Sequence, residues 1–349
     1  MDIGVFTFAE LHPDPATGAV IDARQRLHDV VEQAELADQA GLAVFGVGEH
    51  HRADFAAPAP AVILAAAAAR TRAIRLTSAV TVLSSADPVT VFEEFSTLDL
   101  ISDGRAEIMA GRGAFTESFP LFGYRLEDYD ALFEEKIDLL LRLRDSERVT
   151  WSGRFRSALD DQPVHPRPVQ ERLPVWIGVG GTPRSVLRAA HLGTPMALAI
   201  IGGEPARFAP LVDLYRNAGG RDVAITSHTF VGDTSQAAAD VFFPHYAGYL
   251  HHVSHGRFAI GRSGFDAGRG PAGALFVGSP AQVTEKILAQ HELFGHQRFL
   301  AQISLGSVPH AEAMHAIELL GTEVLPAVRA ALVPAGGPGT AAAASGAVG

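Results

Sequence analysis

Apolar residues in this chain follow two alternating rhythms. Short runs of β-branched, aromatic and small residues occupy positions 3–8, 42–47, 74–83, 105–110, 175–179, 196–201, 223–231 and 298–303. Each run is too continuous to leave one face in water, which is the pattern of a parallel strand covered on both sides. Between them lie segments with apolar residues three and four apart. Leu27, Val30, Val31, Ala34 and Ala37 make one such stripe, and Tyr129, Leu132, Phe133, Ile137, Leu140 and Leu141 make the longest. That spacing places them on one face of a helix. Asp87 then Pro88, Thr182 then Pro183, and Ser279 then Pro280 each pair a capping side chain with a proline suited to the first helical turn. Eight strands alternate with eight helices, so the spacing predicts an α/β fold: a single TIM (β/α)8 barrel spanning residues 1–333.

Two stretches break the rhythm and are read as insertions. Residues 149–173, after helix four, carry Trp151, Gly153, Phe155, Pro163, Pro166 and Pro168, which suggests a hairpin and an irregular loop. Residues 256–278, after strand seven, contain seven glycines and little periodicity. This stretch is expected to be a mobile lid whose Phe258, Ile260, Phe265 and Phe276 fold over the barrel mouth. Residues 334–349 are Ala, Gly and Pro without a hydrophobic pattern and are expected to form a disordered tail.

Composition narrows the chemistry. None of the 349 residues is cysteine, which removes disulfides, thiolate metal sites and cysteine nucleophiles. A formal net charge of −11 with scattered arginines argues against a nucleic-acid surface. With no apolar run long enough for a bilayer, a cytoplasmic protein that binds no membrane is expected.

The strand at 42–47 stops at Glu49, His50 and His51. Titratable groups at the carboxyl end of a buried strand belong in the cleft of such a fold. A histidine there can serve as hydrogen-bond donor or general acid/base, or the trio can simply pair with neighbours and hold the loop. Successive strand residues point to opposite faces, so His50 and His51 are not expected to share a metal; His251 and His252, adjacent on a helix, meet the same difficulty. No metal is expected. Arg112, between Gly111 and Gly113, can either fork onto a phosphate or pair with an acidic neighbour. Gly180, Gly181 and Thr182 end the fifth strand just before Pro183, leaving free N–H groups at a helix start, an anion site in outline. No GxGxxG fingerprint accompanies it.

These motifs in this order, EHH after strand two, LTSAVTVLSSADP over strand three and GRGAFTESFPLFG after strand four, resemble the bacterial luciferase-like flavin-dependent monooxygenases. The resemblance runs from the first strand to the last helix and is strongest over residues 1–145 and 174–195. It implies a barrel binding reduced FMN, or the deazaflavin F420 as the alternative. His50 would be the catalytic histidine, supported by Glu49 and His51. Ala79 and Val80 would form a non-prolyl cis peptide under the flavin ring, and Arg112 would hold the flavin phosphate with Gly180, Gly181 and Thr182. A flavin C4a-peroxide, kept dry by Phe6, Phe8, Val80 and Ile200, would oxygenate a small organic substrate, with Phe6, Phe8, His51 and Ile200 on the substrate side. Electrons would come from a separate NAD(P)H:flavin reductase, and a homodimer is expected. An F420-dependent oxidoreductase and a non-catalytic flavin-binding protein stand as alternatives. Two features depart from the pattern: Gly111 replaces a cysteine found in some light-emitting members, and the phosphate loop follows strand five instead of strands seven and eight.

Overall fold

Parallel strands without a wet face must close on themselves or be covered by helices, and here they do both. The computed structural model describes residues 1–113 and 115–333. Its central sheet is made of β1 (Asp2–Thr7), β2 (Val44–Val47), β3 (Arg75–Ser78), β4 (Ala106–Gly111), β5 (Val175–Val179), β6 (Met196–Ala199), β7 (Val223–Val231) and β8 (Arg298–Gln302). Each is parallel to its sequence neighbours, β8 pairs back onto β1, and the eight strands close into a TIM barrel.

The period of two in each strand sorts side chains between two cores. Phe6, Val44, Ala79, Met109, Trp176, Ala197, Ala224 and Leu300 fill the barrel interior. Residues of opposite parity, among them Ile3, Val5, Phe45, Val47, Ile177 and Ile225, pack outward against the helices. The caps read from sequence are present: Asp87 accepts from the N–H groups of Val89 and Thr90, and Ser279 with Gln282 forms a reciprocal capping box.

Two expectations change and one is met. The run at 74–83 is not one strand, because the Ala79–Val80 peptide is cis and separates β3 from a two-residue strand, Thr81–Val82. The insertion after the fourth helix does contain a hairpin, Arg148–Trp151 against Leu159–Pro163. The glycine-rich segment is ordered, with a helix at Arg262–Arg269 and a strand at Phe276–Gly278 that pairs with Thr229, Phe230 and Val231 at the overhanging end of β7. Phe265 and Phe276 are fully buried, so they are core residues and not lid aromatics. The glycines there allow close packing: a Cβ on Gly273 would stand 1.9 Å from the Gly268 carbonyl oxygen, and one on Gly268 would stand 3.0 Å from Leu275. The tail expected from residue 334 onward lies outside the described residues. Among the described residues, no helix is long and apolar enough to cross a membrane.

Candidate active site

The carboxyl ends of β2 and β3 are stapled together by one carboxylate. Glu49 is buried; its Oε2 accepts from the Val82 N–H at 2.8 Å, its Oε1 lies 2.7 Å from His51 Nε2, and its own N–H donates to the Val80 carbonyl at 3.1 Å. These bonds fix the segment around the cis peptide and orient His51. Val80 then needs room from its neighbours. A Cβ on Gly111 would lie 2.5 Å from one Val80 methyl, and a Cβ on Gly178 would lie 2.8 Å from the other. Neither distance occurs between real atoms, so both positions require glycine for Val80 to sit where it does. Gly46 and Gly48 clear space for Phe6 and Phe8 in the same way.

His50 emerges from β2 into an aromatic surround. Its ring stacks on Phe55 at 4.2 Å and meets the edges of Phe8 at 4.7 Å and Phe115 at 5.2 Å. Burial pushes its pKa down to about 4; Asp54 opposes that shift and Arg52 adds to it. The imidazole is therefore neutral at pH 7, with one nitrogen able to accept a proton and the other to donate a hydrogen bond. Beyond Phe55 lies a second polar group. His12 packs 5.5 Å from the Phe55 ring and 4.3 Å from His252, and burial holds its pKa near 4 as well. Asp54 takes two hydrogen bonds from Arg52 and one contact from His252 at 2.9 Å. Arg52 also reaches Glu117 at 2.7 Å, joining the loops after β2 and β4.

The anion-site residues come together at the ends of the neighbouring strands β4 and β5. Arg112 Nη2 donates to Ser185 Oγ at 3.1 Å, Nη1 pairs with Asp130, and the guanidinium lies 4.9 Å above the Tyr129 ring. Thr182 caps the helix Pro183–His191, its hydroxyl 2.8 Å from Ser185 Oγ. The acidic-neighbour reading of Arg112 holds, and the guanidinium also touches the helix start beside Gly180 and Gly181. Arg184 and Arg188 share Asp130 with it and also pair with Glu134. Three guanidiniums against two carboxylates leave a positive excess at a helix start, a favourable place for a phosphate.

Not every residue singled out from sequence lies at this mouth. Phe6 and Phe8 belong to the inner cluster. Ile200 does not: it has no exposed surface and packs with the outward-facing strand residues, so its parity takes it out of the substrate-side group. Sequence reasoning missed Phe55, Phe115, His12 and Ser185. Only Ser185 left a signal, as a hydroxyl two residues beyond Pro183 at a capped helix start.

A parallel barrel that carries an anion-ready helix start at its carboxyl end has the architecture of barrel enzymes with phosphorylated ligands. Comparison with known proteins gives the family: residues 1–297 match the model for luciferase-like monooxygenases, and the chain belongs to that oxidoreductase family. The N-acetyl-S-alkylcysteine monooxygenase of Bacillus subtilis is 32% identical over 187 residues, covering 52% of this chain and 54% of the relative. Among solved structures, the oxygenating constituent of 3,6-diketocamphane monooxygenase from the CAM plasmid of Pseudomonas putida, in complex with FMN, aligns with a TM-score of 0.74 at 20% identity, covering 94% of this chain and 98% of that one. An F420-dependent secondary alcohol dehydrogenase in complex with an F420–acetone adduct aligns with a TM-score of 0.70 at 19% identity, covering 94% and 99%. At those identities the two structures speak for the fold alone.

Proposed function

We propose that this protein is the oxygenating component of a flavin-dependent monooxygenase, working on a small organic substrate with reduced FMN, O2 and a separate NAD(P)H:flavin reductase in the cytoplasm, as a homodimer. The observation that carries this reading is the pairing, at one barrel mouth, of an arginine-rich helix start with a neutral histidine walled by phenylalanines. Reduced FMN, when bound, supplies the electron pair that activates O2, one oxygen atom passing to the substrate and the other leaving as water. Arg112, Ser185, Thr182 and the N–H groups at Gly180 and Gly181 would hold the phosphate. Val80, seated over Gly111 and Gly178, would support the ring, and Glu49 keeps that seat in place. His50 would hold or move a proton at its imidazole, and Phe6, Phe8, Phe55 and Phe115 keep bulk water from it.

The fold likeness to an F420-dependent alcohol dehydrogenase supports one competing reading, hydride transfer with F420. Anaerobic titration with reduced FMN and reduced F420, followed by exposure to 18O2 with a panel of alkyl thioethers, cyclic ketones and aldehydes, separates the two. Binding of reduced FMN and product carrying one 18O atom is expected. Binding of reduced F420 alone, with substrate reduction or oxidation and no label, would replace the monooxygenase reading.

A further inference from the structure

His12, in the loop after β1, is 3% exposed, and neither ring nitrogen has a hydrogen-bond partner. A buried polar group in that condition is costly, and an ion is one of the few things that explains it. The surroundings supply two further ligands. Asp54 Oδ2 lies 3.8 Å from His12 Nε2 and 2.9 Å from His252 Nε2. One ligand atom from each of the three residues lies within 4.8 Å of the other two.

A tetrahedral ion with bonds of about 2.0 to 2.2 Å sets its ligand atoms roughly 3.3 Å apart. The two measured spacings bracket that value. His252 sits in the last turn of the helix Ser235–Val253 and is 36% exposed, so it has freedom to make the adjustment. Two imidazole nitrogens and one carboxylate oxygen suit zinc and its neighbours in the first transition series; calcium and magnesium take oxygen alone. Arg52 already donates to both Asp54 oxygens, at 2.8 and 2.9 Å. A carboxylate has lone pairs beyond those two, and a charged partner behind a ligand orients it and keeps it ionised.

We propose that His12, Asp54 and His252 bind a divalent transition ion, zinc being the best fit, with an open position towards the cavity of about 440 Å³ that Asp54 and His252 line together with Arg52, His251 and His255. The ion ties the loop after β2 to the end of the helix Ser235–Val253. Between this site and His50 stands Phe55, whose ring contacts both His12 and His50. The ion therefore positions the wall of the His50 pocket and does not enter the redox chemistry.

The test uses metal-stripped full-length protein without flavin, so its outcome is independent of the monooxygenase reading. Titration with Zn2+ by calorimetry, and with Co2+ by visible absorption, is expected to show one equivalent per chain. His12→Ala and His252→Ala are each expected to weaken that binding by more than about 100-fold, beyond the loss usual for removing an outer partner. His251→Ala and His255→Ala should leave it unchanged. Circular dichroism checks each variant; should the buried His12 change prevent folding, the partly exposed His252 change decides the matter. Absence of stoichiometric uptake, or uptake that survives His252→Ala, would overturn the proposal.

Discussion

On the β4 and β5 side of the mouth, Arg112, Arg184 and Arg188 pair with Asp130, and the latter two also with Glu134, in reach of solvent. On the β1 and β2 side, His12 and His50 lie among phenylalanines, and His228 of β7 is also fully buried. The first side keeps its charges by pairing them; the second holds its histidine rings neutral by burial, beside the paired Arg52 and Asp54. Holding an anion needs fixed charge and tolerates water. Controlling a proton needs an imidazole whose ionisation is set by its walls, and that requires water to be kept away. The division predicts that changes on one side disturb binding and changes on the other disturb turnover.

The largest expected effect is on the dry side. His50→Ala should reduce product formation by about 100-fold or more, the scale of a lost acid/base group, while flavin affinity stays close to the parent value. His51→Ala is the contrast, because His51 is bonded to the Glu49 staple, so it should shift stability or flavin placement. Steady-state turnover beside anaerobic flavin titration reads both, and a His50 variant with parental turnover would erase the functional distinction between the sides.

Arg112→Ala tests the charged side. Loss of a hydrogen bond to a phosphate should weaken reduced FMN by on the order of 1.5 to 3 kcal/mol. Riboflavin, lacking the phosphate, should change far less. Asp130 keeps Arg184 as a partner at 3.0 Å, so the rim should remain folded. Equal losses for both ligands would mean that Arg112 supports the rim and does not grip the phosphate.

How far such a division can be read from sequence depends on the range of the contacts involved. The barrel was legible because its code is local: continuous apolar runs, helical stripes and capped helix starts all lie within single elements. The charged side was half legible, since Gly180, Gly181 and Thr182 are contiguous and Arg112 stands out between glycines. Its acidic partner Asp130, 18 residues away, could not be named. The dry side was nearly invisible beyond EHH, because His12, Asp54 and His252 meet only through the fold. Glycine density at 256–278 hid a helix and a strand, where Gly268 and Gly273 permit close backbone packing. Ile200 misled through parity, one residue off the inward-facing set.

The smallest effect concerns acid stability, where the two sides should separate by pH. His228 is 2% exposed, its Nδ1 has no partner, and burial alone pushes its pKa down to about 4. Between that value and the ordinary 6.5 the unfolded chain binds a proton that the folded chain refuses, so stability is fully present above 6.5 and is lost as pH falls towards 4. At pH 5 the loss from this one group is on the order of 1 to 2 kcal/mol. Asp130 behaves differently: burial raises its pKa, but Arg112 outweighs that and holds it below the usual carboxylate value, so its contribution disappears only below about pH 4. Glu10, raised to about 7 by burial, acts in the opposite direction, favouring the folded state as pH falls through 7. The total curve therefore mixes signs, and a difference between variants isolates the histidine. Denaturant unfolding of the parent and of His228→Leu should give a nearly constant offset above pH 7 and a growing divergence towards pH 5, the variant losing about 1 to 2 kcal/mol less. Curves that stay parallel across that window would mean that the His228 imidazole is free to protonate in the folded protein, and that the wall around it is wet.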